Sequence, residues 1–352
     1  MTAERSTRRR TLKGVILTLV VLVAVILGGL GYVYARLNGN LSGIDINAQL
    51  GSDRPKNVHD GSEDILVLGS DSRAGANAKY GRSTGARSDT AMLLHVYEGH
   101  KKASVVSIPR DTLVARPACK GKKGRTVPAD SSAMFNSAYE AGGPACAVKT
   151  VERMTGIRMD HYIEVDFTGF KKLINQLGGV QVTTTRAIKD KDSHLSLGPG
   201  THTLDGEQAL GLVRTRHAVG DGSDLGRIQL QQAFMKALIQ RVRGIGLLSD
   251  PKKLFDLADT ATKSITPDSD LDSVDELIGF AGGLQDLSAK NVTMITLPVK
   301  YDPADPNRVV PLEPGARTVW SALRQDRPIP RSATKGSAGD TGDAHGVIES
   351  SH

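Results

Sequence analysis

Short apolar runs alternate with longer amphipathic stretches through most of this chain. The runs Ile65–Leu68, Ala91–Val96, Val105–Ile108, Tyr162–Val165, Val180–Val182 and Val292–Leu297 have the length and composition of buried strands. Helical spacing of apolar positions fits Ala145–Met154, Phe167–Leu177, Glu207–Val213, Arg227–Arg243, Lys252–Lys263 and Leu271–Leu284. Such alternation predicts an α/β fold with helices on both faces of a sheet.

One apolar stretch is different in kind. No charge occurs from Gly14 to Ala35, and as a helix this segment rises about 33 Å, enough to cross a hydrocarbon core of about 30 Å. A secretory signal would have a shorter apolar core and a small-residue cleavage site, so an uncleaved transmembrane helix is expected over 14–35. Residues 1–13 carry Arg5, Arg8, Arg9, Arg10 and Lys13 against Glu4. That flank is expected to stay cytoplasmic, which puts the rest outside the cell, with Tyr32 and Tyr34 at the interface. Residues 36–62, rich in Gly, Asn, Asp and Ser, read as an extracellular stalk, or alternatively place a short docking helix at Ile44–Leu50. A single domain is expected over 63–327, with Trp320 and Leu323 in a closing helix and a disordered tail over 328–352.

The formal charge of +7 changes meaning once the anchor is placed. The cytoplasmic flank carries four of those seven charges, and the remainder is too dilute for a nucleic-acid binder. Cys119 and Cys146 are the only cysteines and, outside the membrane, are expected to be bridged. The nine histidines show no zinc-ligand spacing, and neither a G-x-S-x-G elbow nor a Walker A loop occurs.

Candidate chemistry collects at the ends of the first three predicted strands. Ile65–Leu68 runs into Gly69-Ser70-Asp71-Ser72-Arg73, Arg87-Ser88-Asp89 precedes Ala91–Val96, and Val105–Ile108 runs into Pro109-Arg110-Asp111. Mg²⁺ takes one or two protein carboxylates plus water and phosphate oxygens, and arginines neutralise the remaining phosphate charge bidentately. Asp71 and Asp89 beside Arg87 and Arg110 therefore suit a metal-bound phosphate or pyrophosphate. The competing reading is turn residues and exposed ion pairs worth under about 1 kcal/mol. Farther along, Arg214 and Arg216 share a face if that segment is extended, and Arg227 and Gln231 share a helix face. Arg227 in a first helical turn opposes the dipole and so calls for an anionic partner.

The succession LGSDSR, RSDT, SIPRDT, FNSAYEAGG, DHYIEVDFTGFKKLINQLGGVQV, LDGEQAL, VRTRH and DLGRIQLQQ resembles the LytR-CpsA-Psr family of bacterial cell-envelope proteins, from about Asp64 to Arg243. The Ala, Gly and Arg usage suggests a high-GC, actinobacterial source. The resemblance implies a three-layer α/β/α sandwich with a central mixed sheet. It also implies a membrane-anchored phosphotransferase that moves a glycopolymer from a polyprenyl pyrophosphate carrier to peptidoglycan, the carrier's hydrocarbon lying between sheet and helices. On that resemblance Asp71 and Asp89 are Mg²⁺ ligands, and Arg87, Arg110, Arg214, Arg216, Arg227 and Gln231 bind the pyrophosphate. Asp89, Arg110 and Asp111 are the catalytic candidates; Asp89 or Asp111 serves as base, with Asp111 alternatively orienting Arg110. Two departures stand out: Leu230 replaces a basic residue frequent in the family, and Ala74–Gly85 lengthens the connection between Asp71 and Asp89. A non-catalytic envelope regulator or scaffold that binds a phosphorylated polyprenyl lipid is the alternative function.

Overall fold

β1 (Glu63–Ser70), β2 (Ser88–Val96) and β3 (Ala103–Ser107) form an antiparallel meander at the centre of the molecule. In this computed structural model, the described residues are 21–57, 61–70, 88–121, 124–216, 222–246, 250–340 and 347–349. β4 (His161–Asp166) adds parallel to β1, β5 (Ile265–Pro267) antiparallel to β4, and β6 (Val292–Thr296) parallel to β3. Among the described residues the mixed sheet has the order β5-β4-β1-β2-β3-β6. Pro267, which has no N–H to donate, sits in an edge strand.

Alternate side chains divide the core into two layers. Leu66, Leu68, Leu93 and Val106 face α3 (Phe135–Thr155) and α9 (Gly315–Leu323), contributing Val148, Val151, Val319 and Trp320 to one cluster. Ile65, Met92, Val96 and Val105 face the other way and are covered by Met235 and Ile239 of α6 (Asp224–Gly244) and Phe280 and Leu284 of α8 (Val274–Leu284). This is the expected three-layer sandwich. α6 reaches farther, into a second core with α4 (Phe167–Gln176), α5 (Gly206–Arg214) and a small sheet containing Val180–Thr184 and Gly200–Leu204. Leu230, Phe234 and Ala237 are its buried contribution there, so the leucine that departs from the family pattern is core.

The predicted helix at Ala145–Met154 is the second half of a longer one. α3 starts at Phe135 and is broken at Gly142–Gly143, ahead of Pro144. A Cβ on Gly142 would lie 2.7 Å from the Lys120 carbonyl oxygen and 2.8 Å from Cys146 Cβ. The break thus admits the hairpin of Cys119–Lys120 and Thr126–Val127, and the Cys119–Cys146 disulfide fastens it with Cα atoms 5.5 Å apart.

Two segments differ from expectation. The helix α1, described over Val21–Asn38, continues past Ala35, and the presumed stalk then packs on the domain. Ile46 and Leu50 bracket α2 (Asn47–Leu50) and are buried in the α3 layer, while Ile44 bridges to Asp268. Arg54 adds a bidentate pair with Glu152 of α3. This matches the alternative of a short docking helix within Ile44–Leu50 and not the stalk; three scattered apolar anchors carry no periodicity, which is why composition alone reads the stretch as linker. The presumed disordered tail is also packed over its described part. Ala333 is buried against the first core, Ser337 Oγ accepts from the Val299 N–H, and Ile348–Glu349 pairs with Val180–Thr184. Its anchors dock singly on distant elements, so its own sequence has no period to show.

Candidate active site

The end of β1, the start of β2 and the end of β3 meet at one edge of the sheet. Gly69 pairs with Thr90 but Ser70 pairs with Ser88, so Asp89 is the extra residue of a β-bulge. Bulges re-aim side chains and recur beside functional sites. Asp71 and Arg87, the residues flanking this bulged pair in sequence, lie outside the described residues, as does the Ala74–Gly85 insertion.

β3 delivers Arg110 through a turn closed by Thr112, whose N–H and Oγ1 both donate to the Pro109 carbonyl oxygen. Asn136 N–H of α3 donates to the Arg110 carbonyl oxygen, which brings the SIPRDT and FNSAYEAGG motifs together. Arg110 Nη1 then donates to Asp89 Oδ1 at 2.9 Å, and Nε lies 3.4 Å from Asp111 Oδ2 and 3.6 Å from Asp224 Oδ1.

α6 brings the second half. Ser223 caps it by accepting from Leu225 N–H, and Arg227 lies in its first turn, only 3% exposed. Arg227 finds the anionic partner that the dipole argument requires: Nη2 lies 2.5 Å from Asp224 Oδ1 and donates to the Asp89 carbonyl oxygen at 2.6 Å. Asp224, which also accepts from the Arg110 N–H, thus joins the two arginines. It was missed as a site residue. Its sequence context, a carboxylate opening DLGR at a helix start, is ordinary and does not by itself mark a site.

Two other candidates are placed differently. Arg214 ends α5 instead of lying in an extended segment with Arg216, and its guanidinium stacks 4.9 Å over the Phe167 ring. Gly206, the first residue of α5, has no room for a Cβ against the Lys171 carbonyl, and this close approach seats α5 on α4. Gln231 donates to Thr90 Oγ1 and the Val213 carbonyl oxygen, bracing α6 to β2 and α5. Asp89, Arg110, Asp111, Arg216, Arg227 and Asp224 are the residues drawn to one place.

The electrostatics of this group are uneven. Burial opposes ionisation of Asp89, but Arg227, Arg110 and Arg216 hold its carboxyl below the usual range. Burial also works against the Arg110 charge, yet Asp224, Asp89 and Asp111 raise its pKa. Arg216 is the strained member: burial, then Arg227 and Arg110, lower it to about 10 despite Asp224 and Asp89. Arg227 Nε and, at the end of β1, Ser70 Oγ are buried without hydrogen-bond partners. A buried guanidinium N–H and a depressed arginine both favour an incoming anion. Beside them opens a cavity of about 590 Å³ lined by Arg110, Asp111, Arg216, Asp224, Tyr301 and Arg308. A larger cavity of about 1030 Å³ at Arg54, Arg116 and Lys149 contains none of the motif residues.

Among the described residues no group of three or more His, Cys, Asp or Glu side chains is arranged for a metal ion. Asp89, ionised and only 17% exposed at its side chain, suits a cation that takes few protein ligands. Mg²⁺ is such a cation, since one or two carboxylates suffice beside phosphate oxygens.

Comparison with known proteins finds relatives over most of the chain. The LytR_cpsA_psr family model matches residues 33–324. The cell wall biosynthesis protein LcpA of Corynebacterium glutamicum is 34% identical over 318 residues, covering 81% of this chain and 59% of that protein. The polyisoprenyl-teichoic acid–peptidoglycan teichoic acid transferase TagT of Bacillus subtilis is 30% identical, covering 83% of this chain and 89% of TagT. A structure of TagT bound to LI-WTA superposes with a TM-score of 0.58 at 29% identity, covering 81% of this chain and 98% of that one.

Proposed function

Because the chain belongs to the LytR-CpsA-Psr family, we propose that it is a membrane-anchored, extracytoplasmic phosphotransferase that moves a glycopolymer from a polyprenyl pyrophosphate carrier to a peptidoglycan hydroxyl as a phosphodiester. The observation that carries this reading is the guanidinium cluster. Arg216 is depressed to about 10 by burial and by two neighbouring arginines, and a pyrophosphate is an anion that relieves such crowding. The name of TagT, a teichoic acid transferase acting between a polyisoprenyl carrier and peptidoglycan, supports the substrate class.

The residues divide the work by charge. The acceptor hydroxyl attacks the sugar-linked phosphorus, a new P–O bond forms, and the bridging P–O bond to polyprenyl phosphate breaks. Arg216 and Arg227 hold the non-bridging oxygens on which charge collects, and Arg110 joins them from the β3 side; this is catalysis by positioning and electrostatic stabilisation. Asp89, with its carboxyl held low and Oδ1 bonded to Arg110, is a poor proton acceptor. Asp111 lines the cavity and takes the hydroxyl proton in our reading. Asp89, together with Asp71, would hold Mg²⁺, which when bound supplies neutralisation of the pyrophosphate charge. The half-covered apolar layer of Val67, Leu94, Met235, Ile239, Phe280 and Met294 is where the carrier's hydrocarbon fits. Burial there contributes about 0.8 kcal/mol per methylene.

The test uses the full chain in nanodiscs with a polyprenyl pyrophosphate-linked glycan, peptidoglycan fragments and Mg²⁺, following polyprenyl phosphate release. Release that produces a linked fragment and is lost in Arg110→Ala, in Asp71→Ala and with a chelator is the expected result. Tight lipid binding without turnover, across several donor glycans, would replace the transferase by a binding scaffold.

A further inference from the structure

α8 is an unusual surface helix. Asp275 and Glu276 lie in its first turn, where Ser273 and Glu276 form a capping box, and from Leu277 to Leu284 no charge follows. Only Val274 is buried; Ile278 is 65% exposed, and Gly279, Ala281 and Gly282 are exposed with it. Phe280 and Leu284 turn inward to the apolar layer of the sheet, so apolar groups occupy both sides of this helix. A water-facing helix ordinarily carries polar residues on its outer face.

The reason lies in what α8 is tied to. Tyr34 OH donates to Asp275 Oδ2 at 3.0 Å, and the Val274 N–H donates to Asn38 Oδ1 at 3.1 Å. Beside these contacts, Arg36 Nε lies 3.3 Å from Asp259 of α7 (Pro251–Thr262), and Asn40 Nδ2 donates to Asp259 and Thr262. The end of the anchor is thereby fastened to the start of α8 and the end of α7. Tyr34 belongs at headgroup depth if α1 spans the membrane. Ile278 is three residues past Asp275, on the same helix face as that tether.

Resting on the anchor reading given above, we propose that α8 lies on the outer leaflet of the bilayer, with Ile278 and Ala281 dipping into the headgroup–acyl boundary. Interfacial helices sink their apolar face about 5–10 Å into that boundary. α8 then separates the bilayer from the apolar layer behind Phe280 and Leu284, and a polyprenyl chain passes around it without crossing water.

The cysteine content makes the test direct. Both native cysteines are bridged, so Ile278→Cys offers a single thiol for an environment-sensitive fluorophore in the full chain in nanodiscs. Arg317→Cys on α9, exposed and on the opposite layer of the sandwich, is the reference. We expect spin-labelled lipid to remove most of the fluorescence at 278 and leave that at 317 unchanged. Equal, weak quenching at both positions would overturn the proposal, as would a probe at 278 shielded from water but not quenched by lipid, which would mean a second copy covers the helix. No substrate is present, so failure of the transferase reading leaves this readout intact.

Discussion

Replacing Asp224 by Asn tests whether the two halves of the site are held together by charge. The substitution keeps the shape and an acceptor for the Arg110 N–H, but removes the negative charge 2.5 Å from Arg227 Nη2 and 3.6 Å from Arg110 Nε. Losing one partner of a buried ion pair costs about 3–5 kcal/mol. Arg110 keeps Asp89 and Asp111, so the low end applies, about 3 kcal/mol. In a domain of this size each kcal/mol moves the thermal midpoint by about 2–4 °C, which makes the expected drop about 6–12 °C. The variant site is also more cationic, so inorganic pyrophosphate should recover more of the midpoint in Asp224→Asn than in the wild type. At one hundred times its Kd an anion returns about 2.7 kcal/mol. Scanning calorimetry of the full chain in detergent, with and without pyrophosphate, reads both effects. A midpoint within about 2 °C of wild type, less than one kcal/mol on this scale, would refute the bridging role. A pyrophosphate response no larger than the wild type's would refute the anion-site assignment.

Arg110→Lys should fold but lose transfer activity by about 10²–10³, because one ammonium does not reproduce contacts made by separate guanidinium nitrogens; steady-state kinetics checks this. Reducing the Cys119–Cys146 bridge should cost about 3.5 kcal/mol on the chain-entropy estimate for a separation of 27 residues, read by denaturant unfolding with and without reductant. His95, buried between Asp64 at 2.8 Å and Asp326 at 2.9 Å, has its pKa raised: burial opposes the charge, but both carboxylates overcome it. Its contribution to stability is therefore complete below about pH 6.5 and is lost as pH rises through the higher folded value. The stability difference between wild type and His95→Gln should shrink across that interval, and a difference constant with pH would contradict the assignment.

Local pattern was enough for five of the six strands of the main sheet and for most of the helices on it, because each buries one side of a regular element and regular burial leaves a period of about 2 or 3.6 in the residues; the three-residue edge strand β5 and the first half of α3 are too short or too interrupted to show one. Arg110 and Asp89 were legible because charged groups at the ends of apolar runs stand out from their surroundings, and Arg227 because a cation in a first helical turn calls for an anionic partner. Asp224 was not, because a carboxylate at a helix start is ordinary until Arg110 arrives from β3 to share it. The docking of Ile46 and Leu50 was legible only as an alternative, and the burial of Ala333 and Ile348 not at all, since each docks singly on a distant element and leaves no repeat. The apolar exposed run of α8 reads in sequence as one more core helix. Only its tether to Tyr34 and Asn38 distinguishes it, and that contact joins residues more than two hundred positions apart. What the chain by itself determined is therefore everything written in local periodicity and in the order of its motifs. What tertiary structure alone decided is the partner of each isolated side chain, because pairing across such separations is set by how whole elements pack and not by any residue's neighbours in sequence.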